Sequence, residues 1–336
     1  MQDQELSELD LAIVNALQIQ PRAPWSLVGR VLGVDAVTVA RRWKRLSDSG
    51  AAWVSGHMAP GTDDRVMAQV EIVTAAAQTG RVAEILARDI STLSVKQTSG
   101  ARDILAIVWA YSLDELADYI GERIARCPGV RATRSHVVTD APYEGSRWRL
   151  RSLSAEQRAQ LRPPERPPVP AEPLRPLDRR IVVALGEDGR MPLSELAERA
   201  GTSVATARRR LSQLLGSGGL VLRCSLARPL TGWPVTAVYF ASVPAEHLQA
   251  AEAALRTLPE LRLCTVTAGP HNLILDAWLR GVHDVHRLEA HLEHEMAHLG
   301  FRVGDRAVVL RTDKNVGRIL DRRGHSVAAV PLERLA

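Results

Sequence analysis

The chain repeats itself, and that constrains its fold more than any single motif. At a constant offset of 168 residues, Leu6 matches Leu174, Asp10 matches Asp178, Arg22 matches Arg190, Gly33 matches Gly201, Thr38 matches Thr206, Arg41 and Arg42 match Arg209 and Arg210, and Gly50 matches Gly218. The segment GVDAVTVARRWKRLSDSG (33–50) thus returns as GTSVATARRRLSQLLGSG (201–218). Any fold for one half must serve for the other.

In the first copy, Leu9, Ile13, Val14 and Leu17 fall at helical spacing behind Ser7, which predicts a helix over 8–18 that stops before Pro21. A short helix over 25–32, a turn at Gly33-Val34 and a third helix capped by Asp35 and halted by Gly50 complete a helix-turn-helix pattern. On the third helix Val39, Trp43 and Leu46 form an inner stripe, leaving Thr38, Arg41, Arg42 and Arg45 toward the outside or the flank. Arginine suits a major groove because its fork bonds guanine O6 and N7 together, and Thr38 can reach a phosphate or a base edge. A charge run alone reads as a solvated face; the turn before it favours a DNA reader.

A strand over 53–57 follows, and then the order strand, helix, strand, strand, helix, strand: strands near 66–73, 93–99, 104–109 and 130–139, helices near 81–88 and 113–127. That is a ferredoxin-like βαββαβ order, with Gly100-Ala101-Arg102-Asp103 as the turn between the middle strands. The fold class expected is α+β, a tandem repeat of a helix-turn-helix domain followed by a ferredoxin-like domain.

The opening Leu6 and Asp10, the run from Gly33 through Thr38, Val39, Arg41 and Arg42 to Leu46, the Ser49-Gly50 stop and the G-x-x-D turn at Gly100 and Asp103 resemble the Lrp/AsnC (feast/famine) regulators. The resemblance implies a transcriptional regulator, no enzyme, in the bacterial cytoplasm or nucleoid. Its N-terminal module binds double-stranded DNA; its ferredoxin-like domain pairs through the sheet and binds a small effector, an amino acid or related metabolite, at Gly100 and Asp103.

The second copy repeats the plan. Ser203 caps its recognition helix, which carries Thr206, Arg208, Arg209 and Arg210, and its effector turn is Gly269-Pro270-His271-Asn272. Asp35 in place of the usual Ser, and Trp43 where the second copy has Leu211, make the first reader the less conventional one. Asn272 in place of Asp103 removes a charge able to meet an effector's ammonium group, so the two effector sites, at Gly100/Asp103 and Gly269/Asn272, are expected to differ. The expected domains are 1–60 and 177–229 for DNA, 61–143 and 230–322 for effector, a Pro/Arg-rich linker over 144–176 and a tail over 323–336. The 14 residues from Pro163 to Pro176 would span about 43 Å as polyproline, comparable with the ~34 Å between half-sites one DNA turn apart.

Composition narrows the alternatives. A chain of 336 residues, 46% hydrophobic with net charge +5, holds two to four domains, and its basic side is arginine, with lysine only at 44, 96 and 314. Cys127, Cys224 and Cys264 are too scattered for a disulfide framework, and no apolar run reaches the length of a membrane span. His294-Glu295-Met296-Ala297-His298 satisfies H-E-x-x-H, but no third ligand follows at the required spacing and the repeat aligns it with an ordinary helix, so neither catalytic residue nor metal nor cofactor is expected. Two other functions fit part of the pattern. Siroheme decarboxylases, enzymes of tetrapyrrole synthesis, resemble these regulators, and His271-Asn272 sits at their functional stretch, without its Tyr and Arg. A DNA-bending organiser without a sensor is the third. Pairing through the sheets predicts at least a dimer, or a pseudo-dimer within one chain.

Overall fold

A computed structural model of the protein describes residues 6–59, 65–145, 148–163 and 174–334. In chain order the first half runs α1 (Glu8–Ile19), α2 (Trp25–Leu32), α3 (Ala36–Asp48), β1 (Ala52–Met58), β2 (Val66–Thr74), α4 (Thr79–Ala87), β3 (Thr92–Thr98), β4 (Ile104–Ala110), α5 (Leu113–Asp118) and β5 (Val130–Tyr143). After α6 (Ala155–Leu161) come α7 (Pro176–Glu187), α8 (Leu193–Arg199), α9 (Val204–Gly216), β6 (Leu220–Leu226), β7 (Val235–Ser242), α10 (Leu248–Leu255), β8 (Leu261–Ala268), β9 (Leu273–Leu279), α11 (Asp284–Glu295), β10 (Arg302–Asn315), β11 (Arg318–Leu320) and β12 (Ser326–Ala329). These elements sort by type, not by half. One compact unit gathers Met1–Asp63, Arg149–Leu230 and Arg323–Ala336; the other gathers Asp64–Trp148 and Thr231–Arg322.

The helical unit holds both three-helix modules. Ser7 and Asp10 form a reciprocal capping box at the start of α1, satisfying two otherwise orphaned donors. In the second copy Pro176 takes the first helical position and Asp178, one turn in, accepts from the Arg175 backbone N–H at 2.9 Å. Val39, Trp43 and Leu46 bury the inner stripe of α3 against Ile13, Val14 and Leu17 of α1, and Leu211 and Leu214 of α9 pack likewise with Ile181 and Leu185. β1 and β6 pair antiparallel from Ala52–Leu226 to Met58–Leu220, joining the modules through backbone hydrogen bonds.

A reciprocal arginine exchange completes that junction. Arg22 donates to the carbonyls of Gly189 and Met191 (2.7 and 2.8 Å), and Arg190 to those of Pro21 and Ala23 (2.6 and 2.9 Å). Each arginine therefore grips, in the other module, the two residues flanking its own equivalent, which is the geometry of an isologous two-fold contact inside one polypeptide. Gly189 abuts Val54 so closely that a Cβ would lie 2.5 Å from its Cγ1. Arg190 also stacks over Trp25, 3.8 Å from the ring centroid. Replacing Arg190 with Ala removes two charge-assisted bonds and the stacking; we expect a loss of about 3 kcal/mol in urea unfolding, with the Trp25 fluorescence changed. An Arg190→Ala chain as stable as the parent contradicts the clamp.

The other unit contains β2 to β5 and β7 to β11, which belong to one continuous sheet. Within each half the elements follow β-α-β-β-α-β, with strand order β3-β4-β2-β5 in the first and β8-β9-β7-β10 in the second. β5 and β10, each 14 residues long, belong to both. β5 pairs with β2 up to Val138 and with β8 from Val137 onward; β10 pairs with β7 up to Val308 and with β3 from Val309. The strands β10-β3-β4-β2-β5-β8-β9-β7 consequently close on themselves, since β7 pairs back to β10. The sheet pairing expected of two subunits is made within one chain.

Two expectations change. The region 144–176 is more than a spacer: Leu153 and Leu161 are buried in the first module's core, Ser152 N–H donates to Asn15 and Gln157 reaches the Val31 carbonyl, so α6 acts as a fourth helix of that module. The polyproline reading falls largely on residues 164–173, outside the described residues. The tail is also structural. Ser326 N–H donates to the Gly50 carbonyl (2.8 Å), and buried Glu333 pairs with Arg179.

Candidate nucleic-acid interface and effector turns

The recognition helices are set by their caps. The Asp35 carboxylate accepts from the Val37 N–H at 2.6 Å, and the Ser203 hydroxyl from the Thr206 N–H at 3.2 Å, so both cap side chains are engaged with backbone. Arg41, Arg208 and Arg209 are exposed and engage no side chain among the described residues. Thr38 and Thr206 are half-buried at the same face, and Val37 is 74% exposed.

The remaining arginines are spent inside the modules. Arg210 is 5% exposed and makes a bidentate pair with fully buried Asp178 (2.8 and 2.6 Å). Its counterpart Arg42 meets Asp10 at 3.1 Å, where Arg45 supplies a second cation at 2.9 Å. Burial alone would raise the Asp10 pKa, but the bonds from Ser7 and Arg42 and the charge of Arg45 bring it below the usual carboxylate value. The repeated Asp and Arg are thus a tie between the first and third helices of each module. The candidate set for DNA contact contracts to Thr38, Arg41, Thr206, Arg208 and Arg209, with Arg45 at the flank.

At the two candidate effector turns, Asp103 and Asn272 do one structural job. The Asp103 carboxylate accepts from the Thr74 N–H (2.7 Å) and hydroxyl (3.2 Å); the Asn272 amide accepts from the Val243 N–H (3.0 Å) and donates to its carbonyl (2.8 Å). Each pins its turn to the end of the neighbouring strand. Gly100 has φ +90°, which favours glycine, and a Cβ on Gly269 would lie 3.5 Å from His136 Nδ1. Because Asn serves at one turn, Asp103→Asn should cost under about 1 kcal/mol, whereas Asp103→Ala, stranding the Thr74 N–H, should cost about 2 kcal/mol in thermal melts. Equal losses for both would refute the shared role.

Beneath the turns lies a buried polar cluster. Glu71 bonds His136 Nε2 at 2.6 Å and pairs with Arg102, which also pairs with Asp305 and stacks 4.2 Å over Phe240. His271 flanks Phe240 on a second side, its centroid 6.1 Å from that ring. Arg102 stood in the turn's sequence beside Asp103, but nothing in a one-dimensional pattern shows that it points inward. Burial by itself would raise the Glu71 pKa; the bonds from His136 and Arg102 outweigh it and hold the carboxyl at about 2. A depressed carboxylate contributes stability above its unfolded value of 4.5 and loses it as pH falls toward 2. We expect about 3 kcal/mol to disappear over that window, and Glu71→Gln to flatten the dependence.

The H-E-x-x-H run is not one helical face. α11 ends at Glu295, and a 3-10 turn carries His298. Among the described residues no group of His, Cys, Asp and Glu is arranged to hold a metal ion, and no helix is long and apolar enough to cross a membrane.

Comparison with known proteins bears on both units. The AsnC-type helix-turn-helix domain matches residues 6–47 and again 176–215, and the Lrp/AsnC ligand binding domain matches residues 65–148. The chain belongs to the Lrp/AsnC family. An uncharacterised HTH-type transcriptional regulator of Pyrococcus horikoshii is 30% identical over 148 residues, 42% of this chain and 90% of the relative. The HTH-type transcriptional regulator LrpA of Pyrococcus abyssi is 25% identical over 129 residues, 37% of this chain and 90% of the relative. The helix-turn-helix model thus matches this Lrp/AsnC chain twice. A crystal structure of the siroheme decarboxylase NirDL covers 92% of this chain and 93% of its own at TM-score 0.61 and 15% identity, a likeness of fold.

Proposed function

We propose that the protein is a sequence-specific transcriptional regulator whose single chain presents two DNA readers, α3 and α9, under the control of a small effector bound in the sheet unit. The observation that carries this reading is the pair of exposed recognition faces, Thr38/Arg41 and Thr206/Arg208/Arg209, on modules joined by β1–β6 and the Arg22/Arg190 exchange. The readers differ at matched positions: Val37, Ala40 and Lys44 on α3 stand where α9 has Ala205, Arg208 and Ser212. Its operator is accordingly two unlike half-sites, fixing the direction in which the chain lies. The effector, an amino acid or related metabolite, is read at the ferredoxin-like turns of Gly100–Asp103 and Gly269–Asn272, with Asp103 and Asn272 shaping the turns. The protein acts in the cytoplasm.

Binding of the purified chain to labelled duplex from its own upstream region tests this. Expected is an affinity at least a thousandfold above that for random duplex at the same salt, altered by an amino acid. A second reading, a siroheme decarboxylase, draws on the whole-chain likeness to NirDL. Absence of preferential DNA binding together with conversion of siroheme would replace the first reading with the second.

A further inference from the structure

The closed sheet is built from two similar halves, yet its interior is not symmetric. Strand register makes Lys96 the counterpart of Thr265, Ile107 of Asp276, Glu71 of Phe240 and Arg134 of Asp305; the turn hydrogen bonds make Arg102 the counterpart of His271. Across the interior, buried Lys96 of the first half pairs with buried Asp276 of the second. Arg102 of the first half pairs with Asp305 of the second, and Gln69 donates to Thr265 at 2.7 Å. Every one of these links joins unlike residues at non-equivalent positions.

We propose that these links are a pairing code: the surface of a first-half sheet accepts a second-half sheet and rejects another first half. The rejection follows from substituting the counterparts. In a first-with-first pair, each Lys96 would face Ile107 in place of Asp276, and each Arg102 would face Arg134 in place of Asp305. In a second-with-second pair, each Asp276 would face Thr265, with no cation opposite. For Lys96 and Asp276 either wrong pairing leaves a buried charge uncompensated, which costs far more than the native pair gains, while Arg102, which keeps Glu71, meets like charge in place of the half-exposed Asp305, so the code acts by exclusion. The partner it fits is the complementary half, and a single-repeat sheet lacking the Asp276 and Asp305 carboxylates is refused.

The test uses the full chain. Lys96→Thr and Asp276→Ile, each giving one half its counterpart's residue, should each lower the melting temperature by about 10 °C, while Lys96→Asp with Asp276→Lys, which reverses the pair, should return it to within about 3 °C of the parent. Moving both carboxylates instead, Ile107→Asp and Arg134→Asp with Asp276→Ile and Asp305→Arg, makes a first-with-first pair the satisfied one, and the particle mass by light scattering should double relative to the parent. Single variants that melt with the parent, or a reversed pair no better than the singles, overturn the proposal. So do relocated carboxylates that leave the parental mass and melting temperature intact.

Discussion

Replacing Arg208 and Arg209 with Ala in the full chain is expected to weaken specific DNA binding by about 30-fold or more while leaving the thermal melt unchanged. Both guanidiniums are exposed on α9 and engage no side chain among the described residues, so their removal leaves no buried charge behind. A bidentate arginine–guanine contact is worth about 1–3 kcal/mol, and two such contacts lie between about 30-fold and 10⁴-fold. If one of the pair meets a phosphate instead, the salt dependence of binding loses a slope of about 0.9 and discrimination falls less. Unchanged affinity in a gel shift removes α9 from the interface.

Arg210→Ala has a different consequence although the residue is adjacent. Asp178 is fully buried, and Arg210 holds both its oxygens; truncation strands a carboxylate in the second module's core. Breaking a buried pair by removing one partner costs about 3–5 kcal/mol, enough to unfold the module locally. The first copy is buffered, because Asp10 keeps Arg45 when Arg42 is lost, so Arg42→Ala should cost clearly less than Arg210→Ala. Comparable losses, measured by urea unfolding, would contradict the buffering of Asp10 by Arg45. DNA binding lost in Arg210→Ala is then a folding effect, separable from that of Arg208 and Arg209 by circular dichroism.

This distinction marks how far the sequence carries. The recognition helices were legible to within a residue or so, because Val39/Trp43/Leu46 and Leu211/Leu214 give an unmistakable helical period and Asp35 and Ser203 mark the starts. Whether an arginine on the outer side meets DNA or an aspartate 32 residues earlier depends on how α1 crosses α3, which no local pattern encodes. Likewise α6 is hidden in a Pro- and Arg-rich region because its stabilisation comes from Leu153 and Leu161 entering a core made by residues before position 55 together with Cys224 and Leu226 of β6. β6 is a short run whose partner, β1, lies in the other copy. At the effector turns the sequence showed Asp103 and Asn272 as a difference in charge; the fold gives them one task and puts the chemical asymmetry in Glu71, Arg102 and Lys96, whose counterparts are Phe240, His271 and Thr265.

The central claim is that one chain carries two unlike DNA readers in fixed relation. In vitro selection from random duplex with the full chain, followed by footprinting at known stoichiometry, tests it most directly. The account predicts one chain protecting two dissimilar half-sites, with the half assigned to α9 losing its consensus in the Arg208→Ala, Arg209→Ala chain. Selection that enriches no sequence, or a footprint of a single half-site per chain unaffected by those substitutions, would contradict it.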